Sequence, residues 1–338
     1  MFFMRRIIMF IVFVTFLYLL FFQEKGNREF SITGLTMGNI TYNVKYISSK
    51  KSVNKIEIDS ILTKFNQTFS TYIPTSEIST INNSSGIMEI SPEFYFLLKE
   101  SKIIYDQTNG YFDPTIGPIV NAWGFGPDKV EYPPDNWEIR KIMNYVGLDK
   151  IKFDSLSLKK QYRESYIDFS AIAKGYAVDI ITRYLDNKHL SNYFVEIGGE
   201  VRASGKNISD KYWLVGVEDA KFSLSSDIFA TVSLNNLSLA TSGNYRNFYN
   251  LKDSLVYHTI DPKSGYPARS NMLSASVFAK NCFIADAYAT SFMALGFEKS
   301  KKIVTSTDGL DALVIYINDE GDTTKYFSEG IRNSINLL

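Results

Sequence analysis

The chain has 338 residues, enough for one large or two modest domains with a real core. Its 45% hydrophobic content, with 36 basic against 36 acidic residues, describes an ordinary globular protein and argues against a nucleic-acid partner, which needs a basic excess. The single cysteine, Cys282, excludes an intramolecular disulfide framework and a multi-cysteine metal site, and its apolar neighbours predict a buried, inert thiol. At the N-terminus, Arg5 and Arg6 precede an apolar run from Ile7 to Phe22 broken only by Thr15. A positive segment followed by an apolar one reads as a secretion signal. No small-residue cleavage site follows, because Gln23, Glu24 and Lys25 come at once. Residues 1–29 are therefore expected to be an uncleaved signal anchor, or else a cleaved signal peptide, plus a short linker. The arginines would stay cytoplasmic and the body, 30–338, would be exported as one domain.

Ser31 to Ser48 alternates polar and apolar residues and predicts one or two strands. Ile58, Ile61, Leu62, Phe65 and Phe69 recur at helical spacing, so a helix is expected over 56–69. Pro92 opens a second helix, Glu93 to Thr108, which Asn109 and Gly110 end. Asp113 to Pro134 is rich in Gly and Pro and reads as a long ordered loop, followed by a short helix, Trp137 to Val146. Strands are expected at Lys150–Asp154, Tyr193–Ile197, Trp213–Glu218 and Phe229–Leu234. Then come a helix from Ala285 to Leu295 capped by Gly296, a last helix, Glu298–Thr305, and a strand, Ala312–Ile317. Helices and strands mix without a regular βαβ period, so the fold class is α+β. The 22 Tyr and 25 Phe are expected to serve mainly as core.

The most informative stretch runs from Ile167 to Asp179. A strand-like start passes into small residues, then Lys174 beside Gly175, then a helical pattern, which is how backbone is brought close to an anion at a helix start. Lys174 supplies a point charge for a pyrophosphate. Gly198-Gly199 and Ser242-Gly243 permit close backbone approach, or else are simple turns. Asp286 and Thr290, four apart on a helix, present two oxygens on one face, suiting a hard cation shared with phosphate. The competing reading is that Asp286 caps the helix and Thr290 bonds back to the preceding turn. His258 follows the apolar Leu255-Val256-Tyr257 and stands before the turn signature Asp261-Pro262-x-x-Gly265. It suits a general base, or a structural histidine. His189, in a polar helix end, is expected to be solvated.

Two further segments complete the pattern. One is Phe69-Ser70-Thr71-Tyr72-x-x-x-Ser76-Glu77-Ile78-Ser79-x-x-Asn82; the other runs from Thr108 through Asp113 and Trp123 to Gly126. In this order, over about residues 35 to 320, the segments resemble the ApbE family of FAD:protein FMN transferases. The resemblance implies an ApbE-like, T-fold-related architecture of mixed sheets with flanking helices. It implies Mg²⁺ held by Asp286, Thr290 and a backbone carbonyl of Ala171 or Ala173. It places Tyr72 against the flavin, borders the FAD site with Lys174, Gly198, Gly199, Ser242 and Gly243, and gives His258 the role of base. The implied reaction moves FMN from FAD to a threonine of an acceptor protein and releases AMP. The implied acceptor carries an Asp-Gly-x-Thr-Gly-Ala-Thr-like motif in a membrane electron-transport complex, and the enzyme sits on the outer, periplasmic face of the inner membrane. Ser170 stands where the family more often has glycine, and Glu200 where aspartate is commoner. Hydrolysis of FAD to FMN and AMP, or flavin binding without catalysis, are the alternative readings.

Overall fold

The computed structural model describes residues 26–126, 132–220, 228–243, 248–251, 254–257 and 259–338. The expected N-terminal anchor and His258 lie outside the described residues. Among the described residues no helix is long and apolar enough to cross a membrane.

The strands are β1 (Arg28–Thr36), β2 (Ile40–Ser48), β3 (Ile87–Glu89), β4 (Ile151–Phe153), β5 (Ser157–Lys160), β6 (Tyr193–Ile197), β7 (Glu200–Ser204), β8 (Trp213–Glu218), β9 (Ile228–Leu234), β10 (Leu237–Gly243), β11 (Phe248–Leu251), β12 (Ser254–Tyr257), β13 (Met272–Ala279), β14 (Asp311–Ile317), β15 (Thr323–Phe327) and β16 (Ile335–Leu337). Eight of them form one antiparallel sheet in the order β1-β2-β6-β7-β10-β13-β14-β15. Small sheets β16-β9-β8 and β3-β5-β4 and the hairpin β11-β12 accompany it. The helices are α1 (Lys55–Phe69), α2 (Glu77–Asn83), α3 (Pro92–Gln107), α4 (Gly117–Ala122), α5 (Asn136–Met143), α6 (Ala173–Asn187), α7 (Cys282–Leu295) and α8 (Phe297–Ser306).

The large sheet is covered on both faces. Alternation along β13 and β14 sends Val277, Ala312 and Val314 into the core shared with the helices. It sends Phe278, Leu313 and Ile315 into a second core against β8 and β9. An aromatic cluster ties the helices beneath the site. Phe69 meets Phe94, Phe169 and Tyr176 at centroid distances of 6.2, 5.8 and 5.8 Å. Phe283 meets Tyr176 at 6.2 Å and Phe96 at 5.8 Å. Each such pair adds about 0.5–1.5 kcal/mol beyond its buried area. Because Phe169, Tyr176 and Phe283 flank the candidate site residues in sequence, this cluster also fixes the site.

Local chemistry accounts for the termini. Asn54 and Glu57 form a reciprocal capping box that starts α1. Ser91 caps α3 ahead of Pro92, and the Gly110 amide, at φ +73, donates to Tyr105 O (2.7 Å) beyond its end. The stretch expected as loop from Asp113 holds α4, a six-residue helix too short to show a period. Its neighbour Trp123 packs with Ile119, Ile139, Val146 and Ile260 and donates its indole N–H to Gly265 O (2.8 Å). Cys282 is fully buried, and burial pushes its thiol far above the usual range, as an inert thiol requires. His189 is exposed, at φ +58 just past α6.

Candidate functional site

The site grows from the junction of α6 and α7. At Gly175 an added Cβ would lie 2.4 Å from the Cys282 carbonyl oxygen and 2.8 Å from Phe283 Cα, so only glycine lets the helix starts approach this closely. The side chain of Asn281, at the N-cap of α7, makes no capping bond. Its place is taken from across the contact by buried Asp179, which accepts the Phe283 amide (2.9 Å) and pairs with Arg202 (2.7 Å). Sequence spacing gave no hint of this cap, because the two partners lie 104 residues apart.

With α7 beginning at Cys282, Asp286 sits in its second turn and is not the helix cap. Asp286 is 2% exposed. Its Oδ2 accepts the Gly175 amide at 2.9 Å, and its Oδ1 lies 3.8 Å from Lys174 Nζ. Thr290, one turn on, reaches across to Ser242, with 3.3 Å between the hydroxyls. Lys174 Nζ donates to Glu200 Oε1 at 2.8 Å. The other oxygen of Glu200, Oε2, is buried with no hydrogen-bond partner among the described residues. Burial alone would lower the Lys174 ammonium, but Asp286 and Glu200 outweigh it and hold the pKa above its ordinary value. Burial pushes the Glu200 carboxyl upward, against the pull of Lys174.

The segment before α6 is pinned from several sides. Asn82 clamps Ile167 by two 2.8 Å bonds, accepting its amide and donating to its carbonyl. The Asp168 amide donates to Pro114 O (2.7 Å), and its carboxylate accepts the Ser170 amide (2.8 Å). Ser76 caps α2 and donates to Ser70 O (2.7 Å). The serines and asparagine of the Phe69–Asn82 signature thus build the frame, while Tyr72 stands 69% exposed. Gly198 (φ +58) and Gly199 (φ +98) form the two-residue turn joining β6 to β7, so this pair is a hairpin turn. An added Cβ at Gly198 would also press on Ile40 Cγ2 at 2.7 Å.

One cavity of about 430 Å³ gathers these segments. Tyr72, Lys174, Gly198, Glu200, Ser242, Gly243, Ala171 and Thr290 all line it, although they come from five separate stretches of chain. Gly199 sits at the hairpin tip outside that lining, and Asp286 lies behind it, buried. The lining also includes Tyr111, Phe112, Ile116, Val120 and Phe125, an apolar and aromatic set suited to a flat ring. Asp113, which lines it too, accepts the amide (2.8 Å) and hydroxyl (2.6 Å) of Thr115, while burial raises its pKa to about 6. The roles of Asn82, Asp179 and Arg202 were not legible in the spacing, since each acts through a long-range bond.

A hard cation fits the donor set. The oxygens that could hold it are the Asp286 carboxylate, the Thr290 hydroxyl and the Ala171 carbonyl. Ala171 precedes α6, whereas Ala173 is its first residue; the Gly175 amide, which a longer helix would aim at the Ala171 carbonyl, goes to Asp286 instead. Two buried carboxylates, Asp286 and Glu200, face one ammonium, so this cluster is net negative and would favour a cation. Among the described residues no three His, Cys, Asp or Glu side chains gather as a metal cage.

Residues 37–314 match the model of the ApbE family. The FAD:protein FMN transferase of Haemophilus influenzae is 36% identical over 315 residues, covering 89% of this chain and 90% of that protein. The protein of the same name from Vibrio cholerae is 33% identical, covering 88% and 90%. Among solved structures, flavin transferase ApbE from Vibrio cholerae superposes with a TM-score of 0.83 at 32% identity, covering 91% of this chain and 99% of that one. The apo flavinyl transferase ApbE of Pseudomonas stutzeri gives 0.80 at 27% identity, covering 91% and 97%.

Proposed function

The chain belongs to the ApbE family, and on that premise we propose that it transfers FMN from FAD to a threonine hydroxyl of an acceptor protein and releases AMP. The observation that carries the reading is the convergence of Tyr72, Lys174, Ser242, Thr290 and Ala171 on a single cavity with an aromatic wall and a charged one. The aromatic wall, with Tyr72, takes the isoalloxazine. The backbone at Gly198 and Gly243 and the hydroxyl of Ser242 border the pyrophosphate. Lys174, held charged between Glu200 and Asp286, sits where negative charge grows on the leaving phosphate. Asp286, Thr290 and the Ala171 carbonyl would hold Mg²⁺, which supplies charge neutralisation of the pyrophosphate. His258 takes the threonine proton as the hydroxyl oxygen attacks the FMN-side phosphorus. The P–O bond to AMP then breaks, and AMP leaves with the electron pair.

The proposal places the body outside the cytoplasmic membrane, on its periplasmic face, anchored by the apolar run behind Arg5 and Arg6. The support for this is the sequence pattern alone. The acceptor would be a subunit of a membrane electron-transport complex with an Asp-Gly-x-Thr-Gly-Ala-Thr-like motif.

The test is incubation of residues 30–338 with FAD, Mg²⁺ and an acceptor protein bearing that motif. Equal amounts of AMP and of acceptor carrying one FMN on threonine are expected. AMP with no adduct would identify a FAD hydrolase, and bound FAD with no AMP a flavin-binding protein.

A further inference from the structure

Next to the flavin cavity lies a larger groove of about 650 Å³, and the two share Tyr111 and Ala294 as walls. Its chemistry differs from that of the cavity. Arg269 and Lys299 line it, both exposed. Among the described residues Arg269 meets no carboxylate. Lys299 donates to the Tyr111 hydroxyl (3.0 Å) and lies 4.7 Å from that ring's centroid. Lys263 approaches the same ring to 6.0 Å. The acid in the lining, Asp261, is engaged in its own turn: its oxygens accept the Lys263 amide and the Ser264 hydroxyl, both at 2.9 Å. The carbonyls ending α7 are likewise engaged, Phe292 O by the Gly296 amide (3.1 Å) and Met293 O by the Ser270 hydroxyl. Arg269 and Lys299, set against the single carboxylate of Asp261, leave the lining with a net positive charge.

The walls are held before any partner arrives. Ile260 and Pro267 form a β-bridge, the Ala268 amide donates to Thr259 O (2.9 Å), and the Tyr266 hydroxyl donates to Asn136 (2.5 Å). Beside Asn136, Trp137 stands 62% exposed. Exposed aromatic and arginine side chains on a fixed frame are the usual anchors of protein interfaces, and prior ordering lowers the cost of binding.

We propose that this groove seats the acceptor segment flanking the modified threonine, and that Arg269 and Lys299 select carboxylates in it. The inference rests on the transfer reading above, because a groove that adjoins the FAD cavity through Tyr111 can present a bound segment's hydroxyl to that cavity.

The test uses the full chain with Arg269→Glu and Lys299→Glu, singly and together. The KM for the acceptor protein should rise about tenfold for each change with kcat unchanged, and FAD affinity by flavin fluorescence should be unchanged in Arg269→Glu, the change that leaves the Lys299–Tyr111 contact in place. The rise should shrink in high salt. An acceptor with lysine in place of the motif's aspartate should be a poor substrate for the wild type and a better one for the double variant. An unchanged acceptor KM would overturn the inference, and so would weakened FAD binding in Arg269→Glu, which would give the groove to the cofactor. A wild-type chain that binds FAD yet modifies no acceptor would overturn the transfer reading, and the inference with it.

Discussion

Replacing Asp286 with alanine should lower FMN transfer by on the order of 10³-fold or more, because it removes the only carboxylate in the proposed cation's donor set. The carboxylate does two jobs that can be separated. Its Oδ2 satisfies the buried Gly175 amide, and its charge faces Lys174 and the proposed cation. Alanine loses both, and stranding the amide costs about 1–3 kcal/mol of stability. Asp286→Asn keeps an acceptor for that amide and loses only the charge. It should unfold near the wild-type temperature yet transfer almost as poorly as Asp286→Ala. Thermal unfolding and AMP release measured on both variants check this. Turnover of Asp286→Ala at the wild-type rate with Mg²⁺ present would remove Asp286 from the metal site.

His258→Ala should slow transfer by about 10²–10⁴-fold, the usual worth of a positioned general base, and leave FAD affinity unchanged. His258 lies outside the described residues, but its neighbour Thr259 lines the cavity proposed to take the flavin. A neutral imidazole is the active form of the base, so the wild-type rate should rise as pH passes through the range where imidazole loses its proton. That limb should vanish in the variant. A variant with full rate and an unaltered pH profile would leave His258 a structural residue.

Much of this fold was legible where local chemistry governs it. α1 and α3 carry helical spacing and explicit caps, and β6 and β8 fall at the expected residues. Central strands were harder. β13 is buried along nearly its whole length because the sheet is covered on both faces, so it lacks the alternation that marks a half-exposed strand. The helix expected from Ala285 begins a turn earlier, at Cys282, because its cap comes from Asp179 on another helix. α2 has only seven residues, and its role emerges only when Asn82 is seen clamping Ile167. For the site, the residue types were legible and their convergence was not. Nothing in spacing says that Tyr72 and Thr290 face one cavity. The turn at Gly198-Gly199 likewise serves two ends at once: it closes a hairpin and lets the chain pack close on Ile40.

The central claim is that one cavity holds the flavin, the pyrophosphate and the cation together. A crystal structure of the chain with FAD and Mg²⁺ tests it most directly. The account predicts Mg²⁺ about 2.1 Å from oxygens of Asp286, Thr290 and the Ala171 carbonyl, with Lys174 on the pyrophosphate and the isoalloxazine against Tyr72. A cation bound away from Asp286, or FAD seated outside the cavity, would contradict it.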